Sequence, residues 1–239
     1  MRVGATNEAR RVEWVQEQLK KIPAGSRLLD AGAGELRFKA SCGHLRYVSQ
    51  DFAQYDGKGD NKGLQTGKWD QTRVDIVGDI TAIPEPSDSF DAVLCVEVLE
   101  HLPDPVLALA EFSRLLRPNG ALILTAPFCS LTHFAPFHFQ TGFNRYFYEH
   151  HLPKLGFKIT EILGNGDFFH YIAQEIRRIS VVASAYTGRT PNLLEKGAMR
   201  IVLHMLQRFA EADRGSSELL NFGYHVRAMR EATNAPAIS

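Results

Sequence analysis

Apolar residues recur at three- and four-residue spacing between Glu8 and Lys21, at Val12, Val15 and Leu19 with Ile22 just beyond, and predict an amphipathic helix that Pro23 stops. Downstream the rhythm changes to short apolar runs. Arg27 to Ala31 predicts a strand running straight into the glycine turn Gly32-Ala33-Gly34, and Leu45 to Asp51 a second strand that ends in an acid. Val74 to Val77, Phe90 to Val96, Ala121 to Ala126, Phe157 to Leu163 and Asn221 to Ala228 predict five more. Between the fourth and fifth, Val106, Leu109, Phe112, Leu115 and Leu116 share one face of a helix over 105–116, which Arg117-Pro118-Asn119-Gly120 terminates. Strands alternating with helices predict an α/β fold with a doubly wound, mostly parallel sheet covered on both faces.

From Phe168 to Ala212 the stripes Ile172, Ile176, Ile179 and then Met199, Leu203, Leu206, Phe209 predict helices, so a helical insertion over 166–220 separates the sixth strand from the seventh. A length of 239 residues fits one large domain over 1–239. Its expected parts are a core over 1–165, the insertion, and the last strand over 221–230, with a frayed tail after Glu231. Asp51 to Asp75 predicts a long glycine-rich loop, and uncovered loops of that length tend to be functional.

Composition narrows the class. An apolar fraction of 44% with 23% charged residues is that of a globular protein and excludes disordered, collagen-like and coiled-coil chains. Lysine plus arginine equal aspartate plus glutamate at 27 each, so no nucleic-acid partner is expected. No apolar run is long enough to span a bilayer and no signal-peptide pattern opens the chain, so neither membrane insertion nor export is expected, and the expected location is cytoplasmic. Cys42, Cys95 and Cys129 form no C-x-x-C pair, which argues against a disulfide framework and a cysteine zinc site. One local bias stands out. Five of nine histidines, His133, His138, His150, His151 and His170, fall within 38 residues, and Phe128 to Tyr148 holds eight aromatics in 21 positions.

A glycine turn at the end of a parallel strand lets a ligand approach the backbone, and a following helix would offer unpaired N–H groups. In a dinucleotide fold a third glycine packs that helix on the strand, but Arg37 stands at that position here. The acids suit a different ligand. Asp30 precedes the turn, Asp51 closes the second strand about twenty residues later where an acid can take both ribose hydroxyls, and Gly78-Asp79-Ile80 follows the third strand. These carboxylates favour a cationic ligand over a pyrophosphate. With Phe90-Asp91-Ala92-Val93 and Leu115 to Leu122, the series Leu28 to Glu35, Asp51 and Gly78 to Ile80 resembles the class I S-adenosylmethionine-dependent methyltransferases, type-11 subgroup, over residues 8–165. The resemblance implies a sheet of order 3-2-1-4-5-7-6 with an antiparallel last strand. It also implies S-adenosylmethionine as cofactor, with Asp30, Gly32 and Gly34 at its amino-acid half, Asp51 at the ribose, Asp79 and Ile80 at the adenine, and Glu97 at the carboxyl end of the fourth strand beside the transferable methyl group.

Glu97-Val98-Leu99-Glu100-His101 starts there, and on a short helix Glu97, Glu100 and His101 share a face. The arrangement resembles that of ubiquinone-pathway O-methyltransferases and small-RNA 2′-O-methyltransferases, where such residues hold a metal near the acceptor hydroxyl. Metal-free relatives carry the same letters, so the sequence reading assigns no metal and keeps Glu97, Glu100, His101 and His133 as the set for a divalent ion if one is held. The aromatic stretch after the fifth strand predicts a dry cover over a sulfonium, whose charge ring faces favour. His133 and His138 are the candidate bases, with Tyr146 as an orienting phenol.

The sequence thus predicts methyl transfer to an oxygen or nitrogen of a small-molecule acceptor. The long loop and zero net charge suggest an acceptor from sugar, glycolipid or secondary metabolism. Two rivals stay open, a nicotinamide-dependent oxidoreductase and a non-catalytic cofactor-binding regulatory module. The oligomeric state is not written in the pattern.

Overall fold

The computed structural model describes residues 2–232. In chain order the elements are α1 (Asn7–Lys20), β1 (Arg27–Ala31), β2 (Arg46–Asp51), β3 (Ile76–Val77), β4 (Phe90–Val96), α2 (Pro105–Leu115), β5 (Leu116–Pro127), α3 (Arg145–Lys154), β6 (Phe157–Gly164), α4 (Phe168–Thr187), α5 (Leu193–Glu211) and β7 (Gly223–Arg230). Seven strands form one sheet of order β3-β2-β1-β4-β5-β7-β6, the order that the family resemblance implied. β1 pairs in parallel with β2 and β4, β2 with β3, and β4 with β5. Glu231 N donates to Gly156 O at one end of the β6–β7 pair and Asn165 N to Gly223 O at the other, so that pair is antiparallel.

β1 and β4 lie in the middle of the sheet and are buried along nearly their whole length, as expected of parallel strands covered on both faces. α2 starts at the Asp104 cap, whose carboxylate accepts from Val106 N and Leu107 N with Pro105 in the first helical turn, and it buries Ala108, Leu109, Phe112 and Leu115. β5 begins earlier than the predicted strand. Leu116 already pairs with Phe90, and a register irregularity between Phe90 and Ala92, with Asn119 in the left-handed region, takes up the Arg117 to Gly120 turn.

The helix expected directly behind the glycine turn does not form. Leu36 has φ +62°, which interrupts a right-handed helical path, and the connection to β2 holds only a 3-10 turn over Lys39–Cys42.

The chain divides into two compact units. One comprises Glu13–Leu163 together with the chain from Tyr224 onward, and its core includes Leu29, Phe90, Leu94, Phe112, Leu122, Leu124, Tyr148 and Phe157. The other comprises Gly164–Gly223 with the residues up to Val12, so the helical insertion gathers its own small core of Val3, Ala173, Leu203 and Leu206. There Val3 N donates to Gln207 Oε1 and Arg177 Nε to Val3 O. Gly4, at φ +71°, has no room for a side chain, since a Cβ would lie 2.3 Å from Gln174 N. The predicted fraying of the tail after Glu231 falls, but for Ala232, on residues 233–239, which lie outside those described.

Candidate active site

Most of the residues nominated from the sequence gather at the carboxyl ends of β1, β2 and β4, the edge at which ligands sit in open parallel sheets. Gly32 (φ +75°) and Gly34 (φ +51°) make the turn after β1. A Cβ on Gly32 would lie 2.4 Å from Val98 Cγ2, and one on Gly34 2.7 Å from the Trp69 ring. The turn is therefore in contact with the segment after β4 on one side and with the 52–75 loop on the other. Gly32 N and Ala33 N both donate to Gln50 O, and Gly34 N donates to Asp51 Oδ2 at 2.9 Å.

Asp51, buried at the end of β2, also accepts at Oδ1 from Ala53 N and from Gln71 Nε2 at 2.6 Å. The neutral side-chain donor Gln71 thus sits on the acid expected to take ribose hydroxyls. Asp30 is buried with Tyr47 donating to Oδ2 at 2.6 Å. Burial pushes its carboxyl up to about 7 against the Tyr47 hydrogen bond, which lowers it, and the Asp51 charge raises it further. Asp79 is exposed and spends Oδ1 on Thr81 N and Thr81 Oγ1, a turn cap, while its neighbour Ile80 is buried in the main core.

Glu97 ends β4 in the left-handed region (φ +54°), a conformation that costs a non-glycine residue free energy and concentrates at functional sites. Its Oε1 accepts from the buried Thr125 hydroxyl at 2.9 Å. Two residues later the 3-10 turn Leu99–His101 buries Glu100 to 1% exposure. Glu100 Oε1 lies 3.8 Å from His101 Nε2 and 3.8 Å from His133 Nε2. His101 Nδ1 donates to Phe137 O at 2.6 Å and His133 Nδ1 to Leu131 O at 2.8 Å; a carbonyl only accepts, so each ring carries a proton on Nδ1 and presents Nε2 on the side of the same Glu100 oxygen. His138 joins them. One ligand atom from each of His101, His133 and His138 lies within 4.8 Å of the others, and both ring nitrogens of His138 are buried without a hydrogen-bond partner. Burial holds the His101 imidazolium down to about 3, with His133 and His138 adding to the effect, so the ring is neutral at pH 7.

Two loops close over these residues. Leu64 N donates to Thr132 O, Phe134 N to Leu64 O and Asp60 N to Ala135 O, which ties the 52–75 loop to the 128–143 loop. Trp69, packed on Gly34, lies edge-on to Phe134 at 5.2 Å, and Phe134 stacks on His101 at 5.1 Å and 13°. An aromatic chain thus runs from the glycine turn to the histidines.

Tyr146 is placed differently from its predicted role, 68% exposed on α3. The phenol that faces the acids is Tyr148, fully buried, its hydroxyl without a hydrogen-bond partner; burial pushes it far above its ordinary range, and Glu97 and Glu100 push the same way. The sequence reading missed it; the signal that could have found it is the four-residue spacing of Tyr148 and Leu152, the two residues α3 buries. Tyr148→Phe is expected to leave stability within about 0.5 kcal/mol of the parent in denaturant unfolding, because it removes a buried group that makes no bond. Tyr148→Ala should cost about 3–5 kcal/mol. A loss above about 1 kcal/mol in the phenylalanine variant would show that the hydroxyl has a partner after all.

Residues 29–124 match the family model described as a methyltransferase domain. A ubiquinone biosynthesis O-methyltransferase of Xanthomonas axonopodis pv. citri is 37% identical over 118 residues, 48% of this chain and 48% of the relative, so the chain spans about half the length of the curated relatives it matches. Among solved structures, a putative sarcosine dimethylglycine methyltransferase from Galdieria sulphuraria superposes with a TM-score of 0.57 at 14% identity, covering 93% of this chain and 86% of that one. The [4+2]-cyclase SpnF superposes with a TM-score of 0.58 at 15% identity, covering 96% and 84%. Both likenesses concern the fold.

Proposed function

We propose that this chain, whose residues 29–124 form a class I methyltransferase domain, transfers a methyl group from S-adenosylmethionine to a hydroxyl oxygen of a small-molecule acceptor. The observation that carries the reading is the convergence of Glu100, His101, His133 and His138 beside the glycine turn. The O-methyltransferase name of the sequence relatives favours oxygen over nitrogen. In the displacement the acceptor oxygen forms its bond to the methyl carbon as the carbon–sulfur bond breaks, the electron pair leaves with sulfur, and the hydroxyl proton is released.

Asp51 takes the ribose hydroxyls in place of Gln71, and Asp30 with the turn at Gly32 and Gly34 faces the amino-acid half. Asp79 and Ile80 border the adenine. The two tied loops exclude water, and well-oriented partners gain effective molarities of about 10⁵–10⁸ M.

The four-residue cluster fits a divalent cation. His101 and His133 bring their Nε2 atoms to 3.8 Å from the same oxygen of buried Glu100, and each Nδ1–H anchored on a carbonyl is the usual support of a ligating histidine. Glu100, His101, His133 and His138 would hold the ion; Glu97, bonded to Thr125, is left out of the set read from the sequence. Nitrogen-rich ligation favours zinc or iron over magnesium. When bound, such an ion acts as a Lewis acid that makes the acceptor hydroxyl easier to deprotonate. A second reading rests on the open nitrogens of His138, which in an ion-free cluster would receive the hydroxyl proton directly.

Elemental analysis separates the two, with about one transition metal per chain expected and His101→Ala removing it together with about 10²–10⁴ of the activity. Full activity after exhaustive chelation would leave the His138 base. A nicotinamide reading lacks its pyrophosphate seat, because no helix begins behind the turn. Calorimetric titration with S-adenosylmethionine and NAD, followed by turnover on a panel of hydroxylated compounds, tests the whole reading. Binding of NAD alone would overturn it, and tight S-adenosylmethionine binding without transfer would favour the regulatory module.

A further inference from the structure

Three consecutive residues of the 52–75 loop lie across the glycine turn and its acid. Trp69 packs on Gly34, Asp70 N donates to Glu35 Oε1 at 3.2 Å, and Gln71 Nε2 donates to Asp51 Oδ1 at 2.6 Å. Together they form a strap. Ahead of it the loop is fixed, because Asp60 and Leu64 are bonded to the backbone of the 128–143 loop. Gly67 stands between the fixed part and the strap at φ +85°, with open space where a side chain would be. A glycine there lets the backbone change direction without steric cost.

The hydrogen-bond capacity of Asp51 shows what the strap does. A carboxylate offers about four lone-pair sites, and three donors already use them: Gly34 N on Oδ2, and Ala53 N and Gln71 Nε2 on Oδ1. Two ribose hydroxyls need two sites, so one donor has to leave. Gly34 N belongs to the glycine turn itself and Ala53 N to the backbone just after β2, whereas Gln71 reaches Asp51 with a side chain from 20 positions away. Gln71 is the donor that can leave without remaking the turn. We propose that residues 69–71 are a self-inhibitory strap, with Gln71 in place of the ribose hydroxyls and Trp69 over Gly34, which S-adenosylmethionine displaces when it binds; this rests on the reading that Asp51 receives the ribose diol. The affinity of such a site is its intrinsic affinity reduced by the fraction of chains whose strap is open.

Calorimetric titration of the parent and of Gln71→Ala with S-adenosylmethionine tests this. The variant keeps both backbone donors of Asp51 and should bind about five- to tenfold more tightly. S-adenosylhomocysteine, which carries the same ribose without the sulfonium charge, should gain as much. Trp69 reports the motion separately. The chain holds two tryptophans, so in Trp14→Phe it is the sole indole, and cofactor binding should shift its emission to longer wavelength and expose it to acrylamide. An affinity of Gln71→Ala equal to or below that of the parent, or Trp69 emission unmoved at saturating cofactor, would overturn the strap and leave the methyltransferase reading standing. Binding of neither ligand by either protein would overturn both.

Discussion

Gly32→Ala should reduce affinity for S-adenosylmethionine by at least about 100-fold, measured by calorimetry, while costing only about 1–3 kcal/mol of stability. Two penalties act at this position. At φ +75° an alanine pays about 1–2 kcal/mol for left-handed backbone, and its Cβ would stand 2.4 Å from Val98 Cγ2 and 2.8 Å from Cγ1. One of the two groups must move. Val98 is not free to do so quietly, because it joins Glu97, already at φ +54°, to the 3-10 turn that carries Glu100 and His101. A displacement there opens the glycine turn and misplaces the histidine cluster together, which converts a modest strain into a large functional loss. Val98→Ala in the Gly32→Ala background removes the clashing methyls but not the backbone strain, so it should recover part of the affinity. An affinity within threefold of the parent for Gly32→Ala would mean that the turn takes no part in cofactor binding.

The strands were legible because each is a short apolar run ended by an acid or a turn, as in Phe90 to Val96, whereas their order in the sheet came from the family resemblance and not from the runs themselves. Gly32, Gly34 and Asp51 were legible for the same local reason. What stayed hidden depends on tertiary contact. The missing helix behind the turn follows from the left-handed backbone at Leu36, which an apolar pattern does not encode. His138 was read as a candidate base, but its place beside His101 and His133 was not legible, since it follows from a loop that Phe139 N and Gln140 N tie back to Glu100 O. Gln71 on Asp51 and Trp69 on Gly34 come from a loop whose glycines and polar residues carry no period at all. Tyr146 and Tyr148 differ by two positions on a helix, about 200° of rotation, and only the buried stripe distinguishes them.

Asp30→Asn is expected to make the protein more stable at pH 8 and to leave it nearly unchanged at pH 4. The carboxyl is buried and held up to about 7, against an ordinary 3.8, chiefly by desolvation. Between these values the native chain keeps a proton that the unfolded chain has released, so stability falls as pH rises from about 4 to 7 and the loss is complete above about 7. At 1.36 kcal/mol per pH unit the span corresponds to on the order of 4 kcal/mol. Asparagine cannot ionise and still offers Tyr47 an acceptor at the position of Oδ2. Other acids work in the opposite direction: Asp75, held down by its bonds from Ser49, contributes stability that is lost as pH falls, so the wild-type profile alone mixes the two. The difference between variant and parent cancels that background, and urea unfolding of both at pH 4.5, 6 and 8 reads it directly. If the Asp30 charge also meets the cationic cofactor, the stabilised variant should bind S-adenosylmethionine at least about tenfold more weakly at pH 8, the exchange of stability for function expected of a buried acid kept at a binding site. Equal pH dependence in the two proteins would show that Asp30 ionises as freely in the fold as in water.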